Sequence, residues 1–349
     1  MATFEELLER WDGEQAVIHR DPESGAWIFI CMHSMRLGPA AGGTRMKVYD
    51  TPADGLEDAM RLSAGMTSKL AVADLGLGGG KAVLAVPQIP QGEERRVLLH
   101  RYGDMVASLG GSFITSSDVN TGEEDMDVIA ERTEHVFGRS EAAGGAGDPG
   151  PFTARGVFHG IKATLAYVFG SDDLSGRTVL VQGAGSVGGP LAEQLGREGA
   201  TVIVADVDAT RAQSVAAAAG GSTVEADAAL ELECDVYAPC ALGATLSAVT
   251  IPRLRCRIVA GSANNQLAQP EAAELLRDAG ILYAPDYVIN AGGAIGINYL
   301  VLNKRSQADV DAALLRIGDT LKEIYERAER EGITTAAAAD AVAASRLDG

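Results

Sequence analysis

Thr178-Val-Leu-Val-Gln-Gly183-Ala-Gly185-Ser186-Val187-Gly188 is an apolar run that opens into a Gly-x-Gly-x-x-Gly turn. The run reads as a strand, and the pattern after it, to position 199, reads as a helix starting at the third glycine. A second strand, residues 201–206, ends on Asp206, 23 positions after Gly183. The glycine turn alone is weak evidence. With a strand before it, a helix after it and an acid closing the next strand, it has the full setting that binds a dinucleotide. Gly183, Gly185, Ser186, Val187 and Gly188 are therefore expected to hold a pyrophosphate against the unpaired N–H groups of a helix N-terminus. Asp206 is expected to accept the ribose hydroxyls of the adenosine. Its charge repels a 2′-phosphate, which Arg211 only softens, so the cofactor expected is NAD rather than NADP.

Outward from this motif the pattern keeps alternating. Strand-like runs at 235–238, 258–261 and 282–284 each lead into small or polar residues: Cys240, Asn264 and Asn290 among them. These clusters fall on the cofactor side of such a sheet, with Cys240 a small packing residue rather than a nucleophile. Residues 310–331 and 336–344 read as helices. Before the motif, residues 142–151 hold four glycines and two prolines, the best linker in the chain, and residues 153–169 are helical. The expected division is 1–141 for substrate, catalysis and oligomerisation, and 142–325 for the nucleotide. Helices in 326–349 are expected to pack back on the first domain.

The N-terminal part reads as a helix at 3–11, strands at 14–20 and 26–33, a Gly-rich loop at 37–45, and a helix at 54–68. Then come Lys69 and, twelve residues later, Lys81 behind Gly78-Gly-Gly80, glycines expected to bend the backbone and leave room for a small molecule. Only six of the 29 basic residues are lysine, so two here suggest chemistry rather than surface charge. Burial and like charge lower a lysine pKa enough to make it a base near neutrality. Residues 113–117 read as a strand delivering Asp118 at its carboxyl end, where α/β proteins place their chemistry.

A chain of 349 residues has room for two domains. Its net charge of −19 argues against nucleic acid or an anionic membrane as partner. No apolar run is long enough to cross a bilayer, and no N-terminal targeting signal is evident. Four cysteines without C-x-x-C spacing and five scattered histidines suggest no metal site, no disulfide framework and a cytoplasmic location.

Taken in order, Gly38–Arg45, Lys69, the Gly-Gly-Gly-Lys block ending at Lys81, Ser117–Asn120, the nucleotide motif, Ala263–Asn265 and Asn290–Gly293 make the chain resemble the glutamate/leucine/phenylalanine/valine dehydrogenase family. The resemblance implies an α/β fold with an N-terminal α/β catalytic domain, a C-terminal Rossmann dinucleotide-binding domain, and a cleft closing between them. It implies oxidative deamination of an L-amino acid by NAD⁺ and water to a 2-oxo acid and ammonia, in a homo-oligomer. By that pattern Lys69 pairs with the substrate α-carboxylate, Lys81 activates water and Asp118 shuttles protons to and from the amine. Ala41, Gly42, Gly43, Met66, Asn264, Ala294 and Ile297 fall at substrate positions, and Thr153, Cys240, Asn264 and Asn290 at the nicotinamide end.

Where glutamate-specific relatives carry a lysine for the side-chain carboxylate, this chain has Ala41, so an apolar substrate is expected. Small Ala41 and Ala294, with the phenylalanine-type Asp118-Val-Asn120, tilt that expectation toward phenylalanine over leucine and valine. Pro87 and Ser116-Ser117 depart from the family pattern and bear on pocket shape. Two other readings use the same features. One is a two-domain dehydrogenase of the shikimate or methylene-tetrahydrofolate type; the other is a non-catalytic NAD sensor, which needs none of Lys69, Lys81 and Asp118.

Overall fold

The computed structural model describes residues 3–348. Two compact units emerge, one of residues up to Asp148 together with those from Ala343, the other Pro149–Val342. The division falls inside the Gly/Pro-rich segment. Of the C-terminal stretch from 326, only the part from Ala343 is counted with the first unit.

The first unit runs α1 (Phe4–Arg10), β1 (Gln15–Arg20), β2 (Trp27–Ser34), β3 (Ala40–Lys47), α2 (Pro52–Val72), β4 (Gly78–Ala85), α3 (Gly92–Ser108), β5 (Phe113–Ser117) and α4 (Glu123–Ala130). Its mixed sheet has the order β1-β2-β4-β3-β5, with β3 parallel to both β4 and β5. Strand side chains alternate between faces. Ile28, Ile30, Met32, Ala82 and Leu84 therefore pack with Leu98, Tyr102 and Met126 of α3 and α4. Phe29, Cys31, Val83 and Ala85 pack on the other face with Leu56, Ala59 and Met60 of α2. A Thr51–Asp54 capping box with Pro52 in the first turn fixes where α2 starts.

Two glycine runs expected to turn are straight strands instead. Residues 40–47 form β3 rather than a loop, and Gly78-Gly79-Gly80 open β4 without a bend. The reason is crowding. A Cβ on Gly42 would sit 1.8 Å from the Gly80 carbonyl oxygen, and one on Gly79 2.1 Å from the backbone nitrogen of Thr67 in α2. Glycine here lets strand and helix backbones approach each other.

The second unit runs α5 (Gly150–Phe169), β6 (Thr178–Gln182), α6 (Gly188–Arg197), β7 (Thr201–Ala205), α7 (Ala209–Ala218), β8 (Ser222–Thr223), β9 (Val236–Pro239), β10 (Ile258–Val259), α8 (Ala272–Asp278), β11 (Leu282–Tyr283), α9 (Asp286–Ile289), α10 (Gly292–Ile297), α11 (Gln307–Glu331) and the part of α12 (Thr335–Leu347) up to Val342. Its six strands are all parallel, in the order β11-β10-β9-β6-β7-β8. Counted within the unit this is 6-5-4-1-2-3, the doubly wound order whose switch point lies between the first and fourth strands. No helix among the described residues is long and apolar enough to cross a membrane.

Candidate active site

In the first unit, odd-numbered residues of β3 and β4 face α2. Lys81 lies on β4 between Gly79, which abuts Thr67, and Val83, which packs on Leu56. Its residue exposure is 6%. Asp118 follows β5 directly, and its Oδ1 lies 3.2 Å from Lys81 Nζ. Gly43 makes room for the pair, since a Cβ there would sit 2.8 Å from Asp118 Cβ and 3.3 Å from Lys81 Nζ. Asp118 caps no helix; α4 is capped by Gly122.

Burial pushes the Lys81 pKa down, Asp118 pulls it up and Arg45 pushes it down again, leaving it below the ordinary lysine value. Burial raises Asp118, but Lys81 and Arg45 outweigh it and hold the carboxyl below its usual range. A buried amine with a lowered pKa, in contact with an ionised carboxylate, is a pair suited to proton transfer near neutrality.

Ala41 and Gly42 precede Gly43 on β3, both buried. Lys69 and Met66 are half-buried on the last turns of α2, the helix that covers this face. The sequence reading left out Arg45, although it ends the Gly38–Arg45 motif. Its Nε donates to Asp118 Oδ2 at 2.8 Å and its Nη1 to Asp58 Oδ2 at 2.9 Å. Reading 40–47 as a strand would have exposed it, because Gly43 and Arg45 then share a face.

In the second unit the expected cofactor residues gather at the carboxyl ends of the strands. Gly183 has φ +102, a region that favours glycine, and a Cβ there would lie 2.8 Å from the Ala241 nitrogen. A Cβ on Gly188 would sit 1.8 Å from the Gly183 carbonyl oxygen, so the turn and the start of α6 lock together. A Cβ on Gly185 would meet nothing within 4 Å. Gly185 and Ser186 are exposed and Val187 is half-buried. Cys240 follows β9 and donates its N–H to Gln182 O at 2.7 Å, joining the two strands at the switch point. Burial raises its thiol pKa, which suits a packing role.

Asp206 follows β7 and accepts N–H bonds from Ala184 at 2.7 Å and Asp208 at 2.9 Å. Burial raises its pKa, but those bonds and the charge of Arg211 bring it below the usual carboxylate value. Asn290, after α9, donates its amide to Asn264 Oδ1 at 2.8 Å and Ser262 O at 3.2 Å. Thr153 on α5 donates to Pro149 O and lies where a Cβ on Gly293 would meet its hydroxyl at 2.7 Å. Ala294 and Ile297, half-buried on α10, sit at the end of the same small-residue run.

A glycine turn at the switch point of a doubly wound sheet, in a chain whose other α/β unit buries a lysine–carboxylate pair, defines the class of two-domain Rossmann dehydrogenases. Residues 18–135 match the Glu/Leu/Phe/Val dehydrogenase dimerisation domain, and residues 204–348 match the Glutamate/Leucine/Phenylalanine/Valine dehydrogenase domain. The chain is 43% identical over 345 residues to leucine dehydrogenase of Bacillus cereus, covering 98% of this chain and 93% of that one. It is 44% identical over 341 residues to valine dehydrogenase of Streptomyces albus, covering 96% and 92%. The crystal structure of L-tryptophan dehydrogenase from Nostoc punctiforme superimposes with a TM-score of 0.87 at 38% identity, covering 99% and 98%.

The chain belongs to the Glu/Leu/Phe/Val dehydrogenase family, oxidoreductases that act on the CH–NH2 group of L-amino acids. Within it, the chain falls in the branch of leucine, valine, phenylalanine and tryptophan dehydrogenases.

Proposed function

We propose that this protein catalyses the reversible, NAD⁺-dependent oxidative deamination of an apolar L-amino acid, phenylalanine first among them. The observation that carries the reading is the Lys81–Asp118 pair at 3.2 Å on a largely water-shielded face. The balance is amino acid, NAD⁺ and water to 2-oxo acid, ammonium, NADH and a proton. When bound, NAD⁺ supplies the hydride acceptor. The fold has what that group needs: space beside Gly185 where a side chain would otherwise project, the start of α6 for the pyrophosphate, and the Asp206 carboxylate. Each Asp206 oxygen accepts one backbone bond and keeps capacity for a ribose hydroxyl. Arg211 is engaged with Asp208 at 3.3 Å, which favours NAD over NADP. Asn264, Asn290, Thr153 and Cys240 would hold the nicotinamide end.

Lys69 holds the substrate α-carboxylate as an ammonium. Lys81, as the neutral amine, takes a proton from the water that attacks the substrate iminium carbon. Asp118 takes a proton from the substrate ammonium before hydride transfer and returns it to the departing nitrogen. Ala41, Gly42, Gly43 and Met66 are the substrate positions of the first unit, and Ala294 and Ile297 those of the second. A glutamate side chain meets no cation at Ala41, and burying its carboxylate unpaired costs roughly 3–5 kcal/mol. The dimerisation-domain match supports a homo-oligomer built through the first unit. The unpaired state of Cys31, Cys234, Cys240 and Cys256 suits a reducing cytoplasm.

Identities of 43% and 44% to a leucine and a valine dehydrogenase support branched-chain substrates as the second reading. A few methylenes discriminate by only about 1–3 kcal/mol. Phenylalanine, leucine, valine, tryptophan and glutamate, each tested with NAD⁺ and NADP⁺, separate these readings. The expected result is the highest kcat/KM for phenylalanine with NAD⁺, and none with glutamate. Leucine or valine in first place selects the second reading. A preference for glutamate or NADP⁺ contradicts the proposal.

A further inference from the structure

The two oxygens of Asp118 serve different partners. Oδ1 faces Lys81 at 3.2 Å, while Oδ2 accepts from Arg45 Nε at 2.8 Å. Arg45 is itself held from α2: its Nη1 donates at 2.9 Å to Asp58 Oδ2, which also accepts from Tyr49 OH at 2.7 Å. Arg61 donates to the other Asp58 oxygen at 2.7 Å. The Arg45 and Asp58 side chains are only 17% and 14% exposed, so the chain of contacts is shielded from competing water.

We propose that Arg45 is a positioning residue for the deamination proposed above, on which this inference rests. It locks one Asp118 oxygen so that the other stays turned to Lys81 and the reacting nitrogen, with Asp58 and Tyr49 holding it in place. A carboxylate without a fixed partner is free to rotate and present either oxygen; the Arg45 Nε–H bond to Oδ2, with Nη1 anchored on Asp58, removes that freedom. Arg45 also adds a like charge to Lys81, lowering its pKa beyond what burial does. Other ionisable groups on this face among the described residues include Cys31 and His33 on β2, Lys47 on β3, Tyr49 after it, and Asp58, Arg61 and Lys69 on α2.

Arg45→Gln and Arg45→Lys separate charge from geometry, and Asp58→Asn loosens the clamp without touching Asp118. The readout is kcat and KM across pH for the amino acid the wild type uses best, with the denaturant unfolding midpoint as the check on folding. Arg45→Gln is expected to lower kcat and kcat/KM together by about 100-fold with KM nearly unchanged. It also moves the low-pH limb of kcat/KM upward, because the charge that holds Lys81 down is gone. Arg45→Lys keeps that limb in place and recovers part of the rate. Asp58→Asn loses about tenfold in kcat at unchanged KM, an effect a merely structural role does not produce. Wild-type kcat and pH limb in both Arg45→Gln and Asp58→Asn, or losses confined to KM, overturn the proposal. If Arg45→Gln does not fold, Asp58→Asn decides alone. A wild type that turns over no amino acid refutes the proposed function and takes this inference with it.

Discussion

Lys81 is an uncommon lysine because it sits on a strand rather than at the end of a flexible loop. Its buried place on β4, facing α2, favours the neutral amine, while Asp118 favours the ammonium. The balance fixes the sign of a pH prediction. Asp118→Asn removes the group that raises the Lys81 pKa, so the low-pH limb of kcat/KM moves to lower pH, opposite to Arg45→Gln. The same variant loses the proton shuttle and falls roughly 10²–10⁴-fold in kcat. Steady-state pH profiles check both parts. At this scale Lys81 and Asp118 were legible from residue type and position after glycines or a strand. Asp58 was not, since it lies 13 residues from Arg45 in sequence and on another element.

Glycine does two different jobs in this chain, and a pair of substitutions separates them. Gly79→Ala forces a Cβ to within 2.1 Å of the Thr67 backbone and pushes α2 off β4. Denaturant unfolding is expected to show a loss of about 1–3 kcal/mol. Gly185→Ala meets nothing within 4 Å, so the unfolding midpoint stays where it is. It intrudes where pyrophosphate approaches, so NADH affinity falls on the order of tenfold, read by fluorescence titration. Helix ends came out of the sequence for α5 and α11, which close at Phe169 and Glu331 as read, whereas α2 runs on from the expected 68 to Val72 and takes in Lys69. β3 did not come out as a strand. Its Ala-Ala-Gly-Gly core carries no strand propensity, and it is a strand because its neighbours leave room for nothing larger.

For the whole molecule, the proposed function divides the chemistry by unit: Lys81 and Asp118 sit in the first and the Gly183–Gly188 turn in the second. In the second unit the order of motifs was readable because the glycine turn, Asp206, Cys240 and Asn264 each come after a strand. Which residues of α2 meet which of β3 depends on the packing of elements distant in sequence. The division also separates the two functions experimentally, since a side-chain loss in the first unit leaves the turn at Gly183–Gly188 untouched. Lys81→Ala, assayed for NADH production from the preferred amino acid and titrated with NADH, tests the central claim most directly. The account predicts that turnover falls by about 10³-fold or more while the NADH dissociation constant stays near the wild-type value. Wild-type turnover in that variant would contradict it.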